Sequence, residues 1–304
     1  MTTTVSTLLA FSGGRMQNSG PLIVVVGPTA SGKSALAMRI AEKYNGEIIA
    51  ADSRTIYRGL DIGTAKPTPE DQELVRHHLL DVRNPDESFS AAEFKEMANE
   101  AIEDIQGRGK LPVLVGGTGL YVDAVLFDYK FGPAADTEKR TQLSGLSVEE
   151  LQEICRKNNI DLPINSQNKR HLVRAIELGG LFKHKKQLRG HTLVVGIATE
   201  RDVLRDRIEK RAHEMVAEGV MDEVTRVGRQ YAWEGEALKG NIYRIFRGVV
   251  EGDKALEAGI EEFIRSDMAL AKRQMTWFKR NQFIQWSSSQ DDLLAKVDTF
   301  LRQS

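Results

Sequence analysis

The chain has 304 residues, a formal charge of −1 and 41% apolar residues. A chain of this length folds as one large domain or as a core with a smaller domain, and its apolar content supports a sizeable core. The near-neutral charge means that any nucleic-acid contact must come from a local basic patch. The single cysteine, Cys155, excludes an internal disulfide and a cysteine-rich metal site. No apolar run reaches the roughly 20 residues of a membrane span. The single cysteine also fits a reducing compartment. We expect a cytoplasmic protein with no membrane segment, and we expect it to be a monomer.

The first twenty residues are rich in Thr, Ser and Gly, and Arg15 is their only charged residue. A signal peptide would need basic residues before its apolar run, which are missing here. A transit peptide remains an alternative with thin support. Residues 1–20 are predicted to form a disordered N-terminal tail.

A glycine-rich loop follows the apolar strand predicted over residues 22–26 and precedes a helical pattern over residues 35–44. The loop residues are Gly27, Pro28, Thr29, Ala30, Ser31, Gly32, Lys33 and Ser34. This G-x-x-x-x-G-K-[ST] spacing is typical of a phosphate-binding loop whose backbone N–H groups surround a diphosphate. Lys33 would supply positive charge, and the Ser34 hydroxyl would bind Mg²⁺. An ordinary glycine turn before a helix is the alternative.

Two further strands are predicted to end near this loop. The strand at 47–51 ends in Asp52 and Ser53, and the strand at 111–115 ends in a glycine-rich stretch that contains Thr118. Because ligands bind at the carboxyl ends of parallel strands, Asp52 is expected beside the phosphate loop. A turn or helix-cap aspartate is the alternative for this residue. An ATP-hydrolysing protein would carry an aspartate at the end of the second strand, so Thr118 there disfavours an ATPase.

The pattern changes at about residue 128 and returns to a buried strand at 192–199. Between them, helices are predicted at 147–157 and 167–178, and a basic run extends from Lys169 to Arg189. The basic run indicates either a solvated surface or contact with phosphates of a nucleic acid. The fold class predicted is α/β: a P-loop-type parallel sheet flanked by helices (21–128 and 191–304) with a small helical insert domain (129–190).

The rest of the core is predicted to be mainly helical. A long helix at 200–218 carries Arg207 and Arg211 on one face, and ion pairs with Glu209 and Glu214 on the surface are the ordinary explanation for them. A second long helix at 254–279 and a strand at 283–286 follow. A short strand is also predicted earlier in the chain, at 77–82.

Several motifs together resemble the tRNA dimethylallyltransferases. They are the phosphate loop, the run from Asp52 to Pro67, the stretches 77–81 and 88–94, the run from Gly116 to Tyr121, and the segments 174–177 and 272–277. The resemblance extends from about residue 22 to residue 286. It implies transfer of a dimethylallyl group from dimethylallyl diphosphate to N6 of an adenine beside the tRNA anticodon, at position 37.

The resemblance also implies residue roles. Asp52 would be the general base and Thr118 would orient the adenine, while Lys33 and Arg211 would stabilise the departing diphosphate. Mg²⁺ on Ser34 would assist as cofactor. The residues expected to contact tRNA are Asp52, Ser53, Arg54, Thr55, Thr118, Arg170, His171, Leu172, Val173 and Arg174.

The chain departs from the family pattern in three places. Its insert is short, Ile242 stands where the family has glycine, and the stretch 234–239 is acidic where the family contacts RNA. These departures keep open an isopentenyltransferase that acts on free adenine nucleotides. The phosphate loop is also compatible with a small-molecule kinase, and the whole pattern with a tRNA-binding protein that lacks activity.

Overall fold

The fold is described from a computed structural model that covers residues 20–132, 136–163, 165–180 and 187–303. The predicted N-terminal tail, apart from Gly20, lies outside these residues. The chain divides into two compact units: residues Met1–Val122 with Leu188–Ser304, and residues Asp123–Gln187.

The first unit is built on a six-stranded sheet in which every neighbouring pair of strands is parallel. Its strands are β1 (Leu22–Val26), β2 (Gly46–Ala50), β3 (His77–His78), β4 (Leu111–Gly116), β5 (Thr192–Ile197) and β6 (Ile284–Ser287). Their order across the sheet is β3-β2-β4-β1-β5-β6. The central strand β1 is the apolar run Leu-Ile-Val-Val-Val, and all five residues are buried, as expected for a parallel sheet that is covered on both faces. The predicted α/β fold is confirmed.

Helices connect and cover these strands. Those of the first unit are α1 (Lys33–Lys43), α2 (Pro69–Leu74), α3 (Ala91–Gly107), α4 (Gly119–Leu126, which continues into the second unit), α8 (Arg201–Ala217), α9 (Val220–Tyr231), α10 (Asn241–Val250), α11 (Leu256–Phe278) and α12 (Gln290–Arg302), with a 3₁₀ turn at Ala237–Lys239. Helices α1 and α12 share one apolar cluster with the sheet, through residues such as Leu36 and Val297. Helices α8 to α11 share a second cluster with the segment after β2.

The strand predicted at 77–82 is shorter than expected. Only His77 and His78 pair with β2, and the next residues leave the extended conformation because Leu79 and Asp81 have positive φ angles of 63° and 55°. The segment instead turns to meet the stretch after Asp52, where the Asp81 N–H donates to Thr55 O over 3.3 Å.

The second unit contains three further helices, α5 (Thr137–Gly145), α6 (Val148–Lys157) and α7 (Lys169–Glu177). Helix α6 begins with a capping box, since Ser147 and Glu150 each accept from the other's backbone N–H. A small apolar cluster that includes Leu151, Cys155 and Leu172 forms the core of this unit. Across both units, none of the helices in the described ranges has the length and apolar character of a membrane span.

Candidate active site

The phosphate loop lies at the carboxyl edge of the sheet, between β1 and α1. The Lys33 ammonium donates to Pro28 O over 3.2 Å, which places the side chain over the loop. The Ser31 hydroxyl is buried, and its oxygen has no hydrogen-bond partner among the described residues. A buried polar atom without a partner is costly unless a ligand supplies the partner. The loop therefore has the composition and the open polar atom of an anion-binding site at a helix N-terminus.

The groups around Lys33 shift the pKa of its ammonium group. Burial lowers the pKa of the ammonium below its ordinary value of 10.5, and the positive charge of Arg211 acts in the same direction. The carboxylates of Asp52 and Asp267 oppose this shift. Binding of a diphosphate would restore the favourable environment for the charged amine, because nearby negative charge raises the pKa of a lysine.

Asp52 and Thr118 follow neighbouring strands, since Ala50 of β2 pairs with Val115 of β4. One Asp52 oxygen, Oδ1, accepts from the Arg54 N–H over 2.8 Å. The turn interpretation of Asp52 is thus correct for that oxygen, and it leaves the second oxygen for other chemistry. The Thr118 Oγ accepts from the Ser53 N–H over 3.1 Å, so Thr118 is tied to the segment that carries Asp52.

Two arginines of α8 approach the phosphate loop. Arg207 donates to the carbonyl oxygens of Ala30 and Ser31, over 3.3 Å and 3.1 Å. Arg211 forms an ion pair with Asp267 of α11. The alternative prediction, surface ion pairs with Glu209 and Glu214, is not found for these two arginines among the described residues. Both arginines contact atoms near the phosphate loop instead. The Arg211 Nε is buried and has no partner within the described part of the chain, which makes it a donor that an incoming phosphate oxygen could accept from.

Asp267 is a further residue of the site that no sequence motif indicates. Its side chain is only 5% exposed. It accepts from Thr29 Oγ over 3.4 Å and from Asn241 Nδ2 over 3.1 Å, in addition to Arg211. Asp267 therefore joins the phosphate loop, α8 and α10 at one carboxylate.

The remaining predicted contacts with tRNA differ in their accessibility. In the first unit, Arg54 donates to Glu236 O over 2.9 Å, and the Thr55 side chain is buried. In α7 of the second unit, Arg170 and His171 are exposed, whereas Leu172 and Val173 lie in the apolar core. Of these four residues of α7, only Arg170 and His171 therefore present exposed side chains, and the prediction for Leu172 and Val173 does not fit their burial.

The site could hold a metal ion only if water and substrate supplied most of the ligands. The described residues contain no group of three or more His, Cys, Asp or Glu side chains suited to a metal ion. Ser34 is exposed in the first turn of α1 and offers one hydroxyl oxygen. This fits Mg²⁺, which usually retains waters and takes its other ligands from substrate phosphates.

The fold and the site together define a P-loop-type α/β protein with a loop suited to anion binding at the carboxyl edge of its sheet. The sequence matches the model of a family described as IPP transferase over residues 55–281. The chain belongs to the IPP transferase family, and the resemblance seen in its motifs is confirmed.

Individual relatives agree with this assignment. The chain is 38% identical over 288 residues to the tRNA dimethylallyltransferase of Anoxybacillus flavithermus, a match that covers 90% of this chain and 92% of that relative. It is similar to the crystal structure of the tRNA isopentenylpyrophosphate transferase from Bacillus halodurans, with 34% identity, a TM-score of 0.72, and coverage of 93% of this chain and 97% of that one. A eukaryotic dimethylallyltransferase acting on tRNA shares the fold at 24% identity, with a TM-score of 0.76 and coverage of 94% of this chain and 77% of that one.

Proposed function

We propose that this protein transfers a dimethylallyl group from dimethylallyl diphosphate to N6 of the adenine at position 37 of tRNA. Membership of the IPP transferase family supports a prenyl-transfer enzyme. The observation that carries the proposal is the meeting of a phosphate loop, two arginines and the Asp52–Thr118 pair at one edge of the sheet. We further propose that the enzyme works as a monomer in the cytoplasm, where its tRNA substrate resides.

The donor half of the site has to bind and then stabilise a leaving group. As the allylic C–O bond breaks, its electron pair moves to the diphosphate oxygen, so negative charge grows there. Donors fixed around that charge lower the barrier most. Lys33, Arg211 and the loop N–H groups are the donors in this chain. Mg²⁺ held by Ser34 would neutralise part of the diphosphate charge.

The acceptor half has to present a weak nucleophile. The exocyclic amine of adenine is conjugated with the ring, so it attacks only a carbon that already carries positive charge. A new N6–carbon bond forms as the carbon–oxygen bond breaks, and the carboxylate of Asp52 takes the proton that N6 loses. The Thr118 hydroxyl orients the base. The base must leave its stack to reach this edge of the sheet.

We propose that the helical insert assists by holding the tRNA. Arg170 and His171 are exposed on α7, and their side chains are suited to phosphate contacts that fix position without reading sequence. The net charge of the whole chain is −1, so a local basic side chain such as Arg170 has to supply the attraction.

Transfer assays distinguish this function from its alternatives. The purified protein is incubated with dimethylallyl diphosphate, Mg²⁺ and unmodified tRNA, and the RNA is digested and analysed by nucleoside mass spectrometry. A dimethylallyl adduct of adenosine is expected, and Lys33→Met is expected to abolish it. Modification of AMP without modification of tRNA would identify a nucleotide enzyme, and phosphate transfer from ATP would identify a kinase.

A further inference from the structure

The side chain of Gln274 in α11 lies between two loops of the candidate site. Its Oε1 accepts from the Thr29 N–H over 2.8 Å, and its Nε2 donates to Gly117 O over 3.1 Å. Thr29 belongs to the phosphate loop after β1, and Gly117 directly follows β4, the neighbour of β1 in the sheet. One amide group therefore connects the loop that binds the donor with the loop that carries Thr118.

The chemistry of the two partners determines the orientation of this amide. A backbone N–H can only donate and a backbone carbonyl can only accept. The oxygen of Gln274 must therefore face Thr29, and its nitrogen must face Gly117. A carboxylate would lose the bond to Gly117, and an apolar side chain of the same length would lose both bonds. The position thus requires a side chain that donates at one end and accepts at the other.

Close packing accompanies these hydrogen bonds. A Cβ atom on Gly117 would overlap Gln274 Nε2, and a Cβ atom on Gly119 would overlap the Trp277 ring. Gln274 and Trp277 are three residues apart, so they project from the same face of α11. The loop that contains Thr118 thus rests on this face of α11 at both of its flanking glycines.

We propose that Gln274 is a positioning residue that sets the distance between the prenyl donor and the acceptor adenine. This inference rests on the proposed function, because it places the diphosphate in the Lys33 loop and the base beside Thr118. Reacting atoms must approach to about 3–3.5 Å, and a misplacement of about 1 Å can cost about 100-fold in rate. Gln274 needs to touch neither substrate, because it acts through Thr29 and Gly117.

The variant Gln274→Met tests this role, since methionine has a similar length and makes neither hydrogen bond. Four quantities are measured for the full-length protein: the Kd of dimethylallyl diphosphate, the Kd of unmodified tRNA, the single-turnover rate at saturation with both, and the melting temperature. The rate is expected to fall about 10- to 100-fold, while both Kd values stay within about threefold and the melting temperature changes by less than about 4 °C. Gln230→Met, at an exposed position of α9, is the control and is expected to match the wild type.

Gly117→Ala provides a second, independent disruption of the same contact. If the two residues act through one bridge, the double variant should be at most about threefold slower than the slower of the two single variants. Additive losses would contradict the bridge, as would an unchanged rate in Gln274→Met. A loss of rate matched by weaker donor binding or by a lower melting temperature would mean that Gln274 only supports binding or folding. A wild-type protein that transfers nothing would refute the proposed function and this role together, whereas an active wild type with an equally active Gln274→Met refutes this role alone.

Discussion

Arg211 and Asp267 form an ion pair next to the phosphate loop, between α8 and α11. The same Asp267 carboxylate also accepts from Thr29 and Asn241. Asp267 thus holds the Arg211 guanidinium in place. The buried Nε–H of Arg211 has no acceptor among the described residues. Fixed donors stabilise a leaving group better than mobile ones, because no reorganisation is needed during the reaction.

Replacing Asp267 by asparagine should separate binding from catalysis. Asparagine keeps the size of the side chain, but it removes the charge that holds Arg211. It also removes a negative charge from the vicinity of the diphosphate, so the KM for the donor should not rise. The kcat should fall about 10- to 100-fold because Arg211 is no longer aligned. Steady-state kinetics with tRNA in excess measure both constants.

The matched control for this variant is Asp291→Asn. Asp291 also pairs with an arginine, Arg39, but its side chain is 84% exposed, so its loss should change neither constant. A rise in donor KM with unchanged kcat in Asp267→Asn would show that Asp267 serves binding and does not align Arg211.

Asp52→Asn tests the general base. An asparagine oxygen can still accept from the Arg54 N–H, so the turn is retained while the ability to take a proton is lost. General-base roles contribute about 100- to 10,000-fold, and the single-turnover rate should fall within that range. The circular dichroism spectrum and the donor Kd serve as controls and should stay as in the wild type. A rate within about threefold of the wild type would exclude the role.

Glu223 should be important for stability. Its buried carboxylate accepts from the backbone N–H groups of Asp61, Ile62 and Gly63, each within 2.9 Å, and from the Tyr243 hydroxyl at 2.7 Å. Glutamine has one acceptor oxygen instead of two, so buried donors would lose their partner. Glu223→Gln should lower the free energy of unfolding by about 2–4 kcal/mol.

Tyr243→Phe is the matched comparison for Glu223→Gln, since it removes one of the four donors and leaves the carboxylate. It should cost about 1 kcal/mol. Urea denaturation followed by fluorescence measures both variants. Equal losses in the two variants would mean that the backbone N–H groups contribute little.

Glu47 should make stability depend on pH. Its side chain is 1% exposed and accepts from Arg108, Lys110 and His78 over 2.5–2.8 Å. The hydrogen bonds from Arg108 hold the pKa of this carboxyl well below its ordinary value of 4.5, with Lys110 and His78 acting in the same direction. The unfolded chain therefore takes up a proton near pH 4.5, while the folded chain keeps Glu47 ionised.

The stabilisation from Glu47 is thus complete above pH 4.5 and decreases as the pH falls. Glu47→Gln should be less stable than the wild type by about 3 kcal/mol at pH 7. Below pH 4.5 the difference should narrow by about 1.4 kcal/mol per pH unit. Urea titrations between pH 3 and 7 measure it, and a difference that stays constant over this range would refute the assignment.

The site residues that could be predicted from the sequence are those that lie close to strand ends. Lys33, Asp52 and Thr118 each follow an apolar strand, and parallel strands bring their carboxyl ends to one edge of the sheet. Their proximity follows from the strand pattern alone. Arg211 was identified only through the family resemblance, because its spacing from Arg207 fits a surface ion pair equally well.

Residues that act through long-range contacts could not be predicted in this way. Asp267 and Gln274 lie more than two hundred residues from the phosphate loop that they contact, and no local pattern encodes that approach. One signal was available: Asp267 occupies the apolar face of α11 with Ile260, Phe263 and Ala271, all buried. A charged residue at a core position of a helix indicates a buried partner.

The contacts of Ile242, which differs from the family pattern, could not be predicted from the sequence either. The sequence identifies that Ile242 stands where the family has glycine, but not what it contacts. In the structure it is buried, and a Cβ atom on Gly63 would lie 2.7 Å from its Cγ2. The larger side chain is accommodated because the residue opposite has none.

The order of the strands in the sheet affects how the chain can fold during its synthesis. The central strand pairs on one side through Leu22 with Thr192, so that neighbour becomes available only when most of the polypeptide has left the ribosome. The segment Asp123–Gln187 forms its own compact unit and emerges earlier. Pairing between strands distant in sequence is slow and leaves apolar edges exposed in the meantime. Nascent chains that end before residue 192 should therefore need chaperone protection, since β1 still lacks its neighbour β5.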